Sequence, residues 1–115
     1  MANRVVLDRT FAACAHPLRR AIIERLAERE MTVGEATGDF NVSKPAISRH
    51  LRVLEEAGAI VRVIDGRSHR LRLRDGALSG AYEWLGDQRA VWERKFDVVE
   101  EYLAGQRAGR DGGER

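Results

Sequence analysis

Apolar side chains recur along this chain at two different periods, and each change of period marks a new element. Between Asn41 and Gly58, Ala46, Ile47, Leu51 and Leu54 fall at the three- and four-residue steps of one helical face, while Lys44, Ser48, Arg49 and Arg52 point away from it. Ser43 precedes them as an N-cap whose hydroxyl accepts from the N–H groups of the first turn. Pro45 sits inside that turn, where no amide donor is missed, and Gly58 offers a left-handed exit. The pattern predicts one helix over 43–58 with an apolar back and a basic front that meets no acid before Glu55.

Upstream, Leu7, Phe11 and Cys14 share one face of a short helix, Leu7 to Cys14, that stops near His16-Pro17, because proline clashes with a preceding helical turn. Pro17 then opens a second helix, to about Glu28. Its buried stripe is Leu18, Ile22, Ile23 and Leu26, with Arg19, Arg20 and Arg25 outside it. Thr32 caps a third helix, Val33 to Phe40, that its two glycines weaken, and Asn41-Val42 connects it tightly to the basic helix. Two short helices joined by a turn of about three residues make a helix-turn-helix.

Downstream the period falls to two. Ala59 to Asp65 is rich in β-branched residues, Ser68 to Arg74 alternates, and Asp65-Gly66 between them is a hairpin signal. The second strand sets Leu71 and Leu73 on one face and Arg70, Arg72 and Arg74 on the other. A helical period returns from about Ala77 to Leu103, through Leu78, Tyr82, Leu85, Trp92, Phe96, Val99 and Tyr102-Leu103. Roughly 27 residues at ~1.5 Å each span ~40 Å, a longer apolar stripe than so small a domain covers, so a partner subunit is expected to cover the rest. From Gly105 the chain is glycine-rich and charged. Residues 1–104 are expected to form one domain and 105–115 a disordered tail.

Composition narrows the class. With 115 residues, 43% hydrophobic and 33% charged, the chain suits one small α+β domain, mainly α with a small β-hairpin. No apolar run reaches the ~20 residues of a membrane span, and the N-terminus lacks the apolar core of a secretory signal. With a single cysteine, Cys14, a reducing cytoplasmic setting is expected. The net charge of +2 hides an uneven distribution: residues 43–54 carry +3 and residues 62–74, with five arginines against Asp65, carry +4, leaving −5 elsewhere. Two positive segments on a negative background are the footprint of a nucleic-acid binder. Arg grips the guanine edge with two bonds and Ser reaches base edges or phosphate, so the helix front suits a major groove. Taken alone, the same front also fits a solvated basic face.

The order of helix, helix, helix-turn-helix, basic hairpin and long terminal helix resembles the arsenic-repressor-like (ArsR-type) family of winged-helix transcription regulators over residues 7–103. The resemblance is carried by Ala15-His16-Pro17-Leu18-Arg19-Arg20-Ala21-Ile22-Ile23, by the run from Ser43 to Gly58, and by Asp65-Gly66-Arg67. It implies a winged helix-turn-helix, a homodimer paired through its first and last helices, a near-palindromic double-stranded DNA operator, and repression by blocking polymerase. Family base-reading positions fall on Ser43, Lys44, Ser48 and Arg49, and Arg67 would reach from the wing tip towards the adjacent minor groove or its phosphates. With the neighbouring polar positions, the expected DNA-facing set is Ser43, Lys44, Pro45, Ser48, Arg49, His50, Arg52, Arg67, His69 and Arg70. The expected dimer contacts are Leu7, Phe11, Tyr82, Leu85, Trp92, Phe96, Val99 and Leu103. Many members sense metals through a Cys-x-Cys pair in the third helix or through His and Asp on the last one. Residues 34–39 contain no cysteine and the last helix no histidine, so neither a metal nor any other cofactor is expected.

Several residues admit two readings. Cys14 with His16 suggests a ligand pair or redox sensor, yet Cys14 shares its apolar face with Phe11, where a thiol acts as a small hydrophobe. His50 suits either a phosphate contact or a structural hydrogen bond, and His69 either solvent or phosphate. Tyr82, Trp84 and Trp92 either line a pocket for a small-molecule effector of unknown identity or form dimer core. Glu83, Asp87, Asp97 and Glu100, interleaved with Arg89 and Arg94, read as a salt-bridged face. The chain has no Gly-rich phosphate loop or nucleophile elbow, so an enzyme is not expected. The competing class is a winged-helix protein-interaction module that does not read DNA.

Overall fold

The computed structural model describes residues 3–113, with side chains for residues 3–109. Its elements are α1 (Arg4–Cys14), α2 (Pro17–Glu28), β1 (Met31–Thr32), α3 (Val33–Thr37), α4 (Lys44–Glu56), β2 (Ile60–Asp65), β3 (Ser68–Leu73) and α5 (Ser79–Gly113). The chain divides into two compact units, one ending at Ala81 and the other beginning at Tyr82.

The first unit is mostly helical, around a three-stranded antiparallel sheet in the order β1-β3-β2. Its core gathers Ala13, Ile22, Leu26, Leu51, Leu54 and Leu71, with Cys14 and Leu18 packed against it. Cys14 therefore sits where a small hydrophobe belongs. Two residues are too few to show a period, so β1 is absent from the sequence reading. It exists because β3 offers it a ladder, Met31 opposite Leu71 and Thr32 opposite Arg70, and Met31 gains burial.

Side chains seal the helix ends. Asn3 accepts the Val5 N–H at 2.9 Å, which starts α1 at Arg4 rather than Leu7. The His16-Pro17-Leu18-Arg19-Arg20 run is a double cap. His16 Nδ1 accepts the Leu18 N–H at 3.1 Å and Pro17 opens α2, while Arg19 donates to the carbonyls of Ala13 (2.8 Å) and Ala12 (2.9 Å) and Arg20 to that of Cys14 (2.8 Å). Two cations thus meet the negative end of the α1 dipole. Thr32 and Glu35 form a capping box that starts α3, which closes at Thr37 instead of running to Phe40.

α4 ends in a Schellman motif. The Ala59 N–H reaches the Leu54 carbonyl at 2.9 Å and the Gly58 N–H reaches Glu55 at 3.0 Å, with Gly58 at φ +72. Leu54 and Ala59, both buried, supply the apolar contact that goes with it. In the hairpin, Asp65 pairs with Ser68, so Gly66 and Arg67 are the two loop residues. Gly66 has φ +60 and no non-glycine residue among those described has a positive φ, the combination of a II′ turn.

In the second unit, the helical backbone of α5 continues to Gly113, through residues expected to belong to a disordered tail. Extending an existing helix fixes one residue per added hydrogen bond, so Ala104, Gln106, Arg107 and Ala108 offset glycines that cost ~1 kcal/mol each. Residues 114–115 lie outside the described residues.

Candidate nucleic-acid interface

The front of α4 is solvent-exposed along its length: Lys44, Pro45, Ser48, Arg49 and Arg52, with Ser43 at the tip. Leu51 and Leu54 are buried behind them, and Ala46 and Ile47 half-buried. The Ser43 hydroxyl accepts the Ala46 N–H at 3.3 Å, the N-cap bond read from the sequence. Among the described residues none of Lys44, Arg49 or Arg52 enters a salt bridge. Glu55, the first acid after the basic front, is taken by Arg62 of β2 at 2.7 Å, so it does not neutralise that front. Cations without partners beside small hydroxyls can meet phosphates and base edges at little cost in broken contacts.

The turn that aims α4 is fixed by a residue the sequence reading left merely outside the α2 stripe. Arg25 grips both oxygens of Asp39 (2.7 and 2.9 Å), donates to the Ala36 carbonyl (2.9 Å), and lies 4.5 Å above the Phe40 ring. Its hydrogen bonds hold the Asp39 carboxyl below the usual carboxylate range, and Asp39 raises the Arg25 guanidinium in return. One step earlier, the Thr32 backbone N–H, with help from Arg29, holds Glu35 down to about 2. An acid and an aromatic at the end of a short helix, below an Arg of the preceding one, were the available signal.

His50, for which the sequence leaves a phosphate contact and a structural hydrogen bond open, makes a hydrogen bond inside the unit. Its Nδ1 lies 3.2 Å from Arg19 Nη1, and its ring sits 4.3 Å from that of His16. Arg19 can only donate, so Nδ1 accepts and the ring is neutral. Burial first, then the positive fields of His16, Arg19 and Arg49, push the His50 pKa below its ordinary value. The two imidazoles and Arg19 tie α4 to the junction of α1 and α2.

On the wing, Arg67 is exposed at the turn and Arg72 and Arg74 are exposed along β3. Arg70 is half-buried and bonded to Glu30 at 3.2 Å. The exposed His69 lies opposite Ile64, with Nδ1 3.4 Å from Arg62 Nη1. Exposed apolar residues flank these cations, among them Val42 ahead of Ser43 and Ile64, 64% exposed, near the turn. Neither stood out in the sequence, since β-branched residues in or beside an apolar run read as core.

A groove of about 350 Å³ between α1 and α4 is lined by Arg9, Ala12, Val53, Glu56 and Ala57. Among the described residues no three His, Cys, Asp or Glu side chains gather as a metal site, and no helix is long and apolar enough to cross a membrane.

Residues 16–61 match the family model described as "Bacterial regulatory protein, arsR family". The HTH-type transcriptional regulator Rv2034 of Mycobacterium tuberculosis is 52% identical over 50 residues, 44% of this chain and 47% of that protein, so the chain spans about half of that relative. The transcriptional repressor SdpR of Bacillus subtilis is 33% identical over 79 residues, 69% of this chain and 88% of that protein. A crystal structure of an ArsR family transcriptional regulator superposes with a TM-score of 0.71 at 31% identity, covering 76% of this chain and 97% of that one. A solution structure described as the homodimeric winged helix-turn-helix DNA-binding domain of Mb0332 from Mycobacterium bovis shares the fold (TM-score 0.59, 20% identity, 78% of this chain and 91% of that one). With α3 and α4 as helix-turn-helix and β2-β3 as wing, the chain belongs to the ArsR family of bacterial regulatory proteins, a family of transcription regulators and not of enzymes.

Proposed function

We propose that this protein is a cytoplasmic homodimeric repressor that lays α4 of each protomer in a major groove of a near-palindromic operator and sets its wing on the flanking backbone. One observation carries the reading: Ser43, Lys44, Ser48, Arg49 and Arg52 are exposed together on one helix, and Glu55, the first acid after them, is already paired with Arg62. SdpR is a repressor and the Mycobacterium bovis domain a homodimer, which agrees with it. Two such helices related by a two-fold axis meet half-sites one helical turn, ~34 Å, apart.

Selection from a pool of randomised duplexes tests this. The expected product is an inverted repeat with half-sites one turn apart. Recovery of no preferred sequence would return the chain to the class of protein-interaction modules. At the wing, Arg67→Ala is expected to weaken all duplexes alike and to lower the slope of log affinity against log salt by about one unit. An unchanged slope would remove Arg67 from the phosphate contacts.

A further inference from the structure

The wing leaves an apolar side chain in the open among cations. Cross-strand partners share a face of the sheet, so the pairs Ile60 with Leu73, Arg62 with Leu71 and Ile64 with His69 stand on one side of the hairpin. At the inner end of that side Ile60 and Leu71 are buried. Next to them Arg62 bonds Glu55 of α4 through Nη2 at 2.7 Å and Nε at 3.3 Å, while its Nη1 lies 3.4 Å from His69 Nδ1. This is therefore the side of the wing that looks along α4. Two residues further out, ~7 Å along the strand, it presents Ile64 to solvent. On α4, Lys44, Ser48, Arg52 and Glu55 follow one another at steps of four, four and three, which sets them on one helix face. Because Glu55 holds the wing, the exposed Lys44, Ser48 and Arg52 and the exposed Ile64 border the same notch.

We propose, resting on the DNA reading above, that Ile64 packs on the deoxyribose of the DNA strand that crosses this notch. With α4 in a major groove and the Arg67 turn at the adjacent minor groove, one sugar-phosphate strand has to pass between them. Such a strand is anionic at its phosphates and apolar at the carbons of its sugars. The notch matches both. Lys44, Arg52 and Arg67 are exposed and enter no salt bridge among the described residues, and Ile64 stands on β2 between the helix and the turn. Strand propensity alone does not call for isoleucine at an exposed position, since threonine has the same β-branch and a hydroxyl for water. Every nucleotide carries the same sugar, so Ile64 adds affinity and seats the wing without choosing a base.

Two footprints of the full-length chain on the selected duplex test this. Hydroxyl radicals cut where deoxyribose is exposed, and dimethyl sulphate methylates guanine N7 where the major groove is open. The wild-type chain should protect sugars on the strand beside each half-site from the first reagent and half-site guanines from the second. Ile64→Thr, which keeps a β-branch in the strand, should lose the sugar protection, keep the guanine protection and bind about tenfold more weakly, the effect of removing on the order of 50 Å² of apolar contact. Its slope of log affinity against log salt should not change, because an apolar contact releases no counterions. Ile64→Val, still apolar, should retain the sugar protection and most of the affinity. A slope lowered by about one unit in Ile64→Thr would mean that a neighbouring cation has been displaced, and overturns the proposal. Unaltered affinity and sugar protection in that variant overturn it too, and leave the apolar tip to a protein partner. Guanine protection without sugar protection in the wild type overturns it while leaving the DNA reading intact. Recovery of no preferred duplex would defeat that reading itself.

Discussion

The winged-helix unit and the long helix that follows it solve the same problem in opposite ways. In the first, each helix end is closed by a neighbour: the Asn3 and Ser43 caps, the Thr32–Glu35 box, Arg19 and Arg20 on the end of α1, and the Schellman exit of α4. Ile22, Leu51, Leu54 and Leu71 are sealed behind them. In α5, by contrast, Tyr82, Leu85, Trp92, Phe96, Val99 and Leu103 all remain open to solvent. A closed unit can hold a reading surface in fixed geometry with no help. An open helix of this apolarity needs a second molecule.

The largest effect should separate the two at once. Leu51→Ala removes a side chain that is 2% exposed at the centre of the first unit, and should cost ~2–5 kcal/mol of stability in a denaturant titration. Trp92→Ala should instead leave the unfolding of that unit in place and move the mass in sedimentation towards monomer. Equal losses of stability from both substitutions would break the contrast.

Next in size is a change on the reading surface that touches neither the core nor the apolar stripe of α5. Arg49 is exposed and enters no salt bridge among the described residues, so Arg49→Ala should leave the melting temperature alone. If it holds a guanine, the substitution should cost ~1–3 kcal/mol of affinity and relax discrimination at one base pair. Titration against single-base variants of the selected duplex measures this, and an unaltered preference at every position would remove Arg49 from base reading. Smaller still is Thr32→Ala, which opens the capping box of α3 and should cost about 1 kcal/mol. Its site lies inside the closed unit, so the loss should appear in thermal unfolding without a change in dimer mass.

How far the sequence could foresee these regions depended on whether the deciding partner was near in the chain. The α2 helix runs from Pro17 to Glu28 as its proline and apolar stripe require, and Ser43 caps α4, because caps and periods act within a few residues. Strand β1 escaped notice since its two residues owe their conformation to Leu71 and Arg70. Arg70 looked like part of a basic edge because nothing local reveals Glu30 as its partner. On α4, Lys44, Ser48, Arg49 and Arg52 could be placed by angle alone. His50 stands on the flank, where only the arrangement of α1 and α2 decides what it meets. The helical backbone over 105–113 ran against its glycine content because composition registers the cost of each residue but not the helix already formed ahead of it.

The smallest effect belongs to that same flank and has a sign that can be worked out. Burial, then His16, Arg19 and Arg49, lower the His50 pKa in the folded chain from its usual 6.5. Below that value the unfolded chain binds a proton at this position that the folded chain refuses, so unfolding is favoured as acid is added. The contribution of neutral His50 is therefore complete above about pH 6.5 and is lost as the pH falls from there towards the lowered folded value. Melting temperatures between pH 7.5 and 5.5 should drop on acidification. His50→Gln, which offers Arg19 an amide acceptor and cannot be protonated, should flatten that part of the profile. The carboxylates held low by Arg25 and the Thr32 backbone titrate at more acid pH, so their losses fall outside this window. An equal drop in His50→Gln would shift the acid sensitivity to another group and leave the α1–α2 junction without a titrating part in holding the recognition helix.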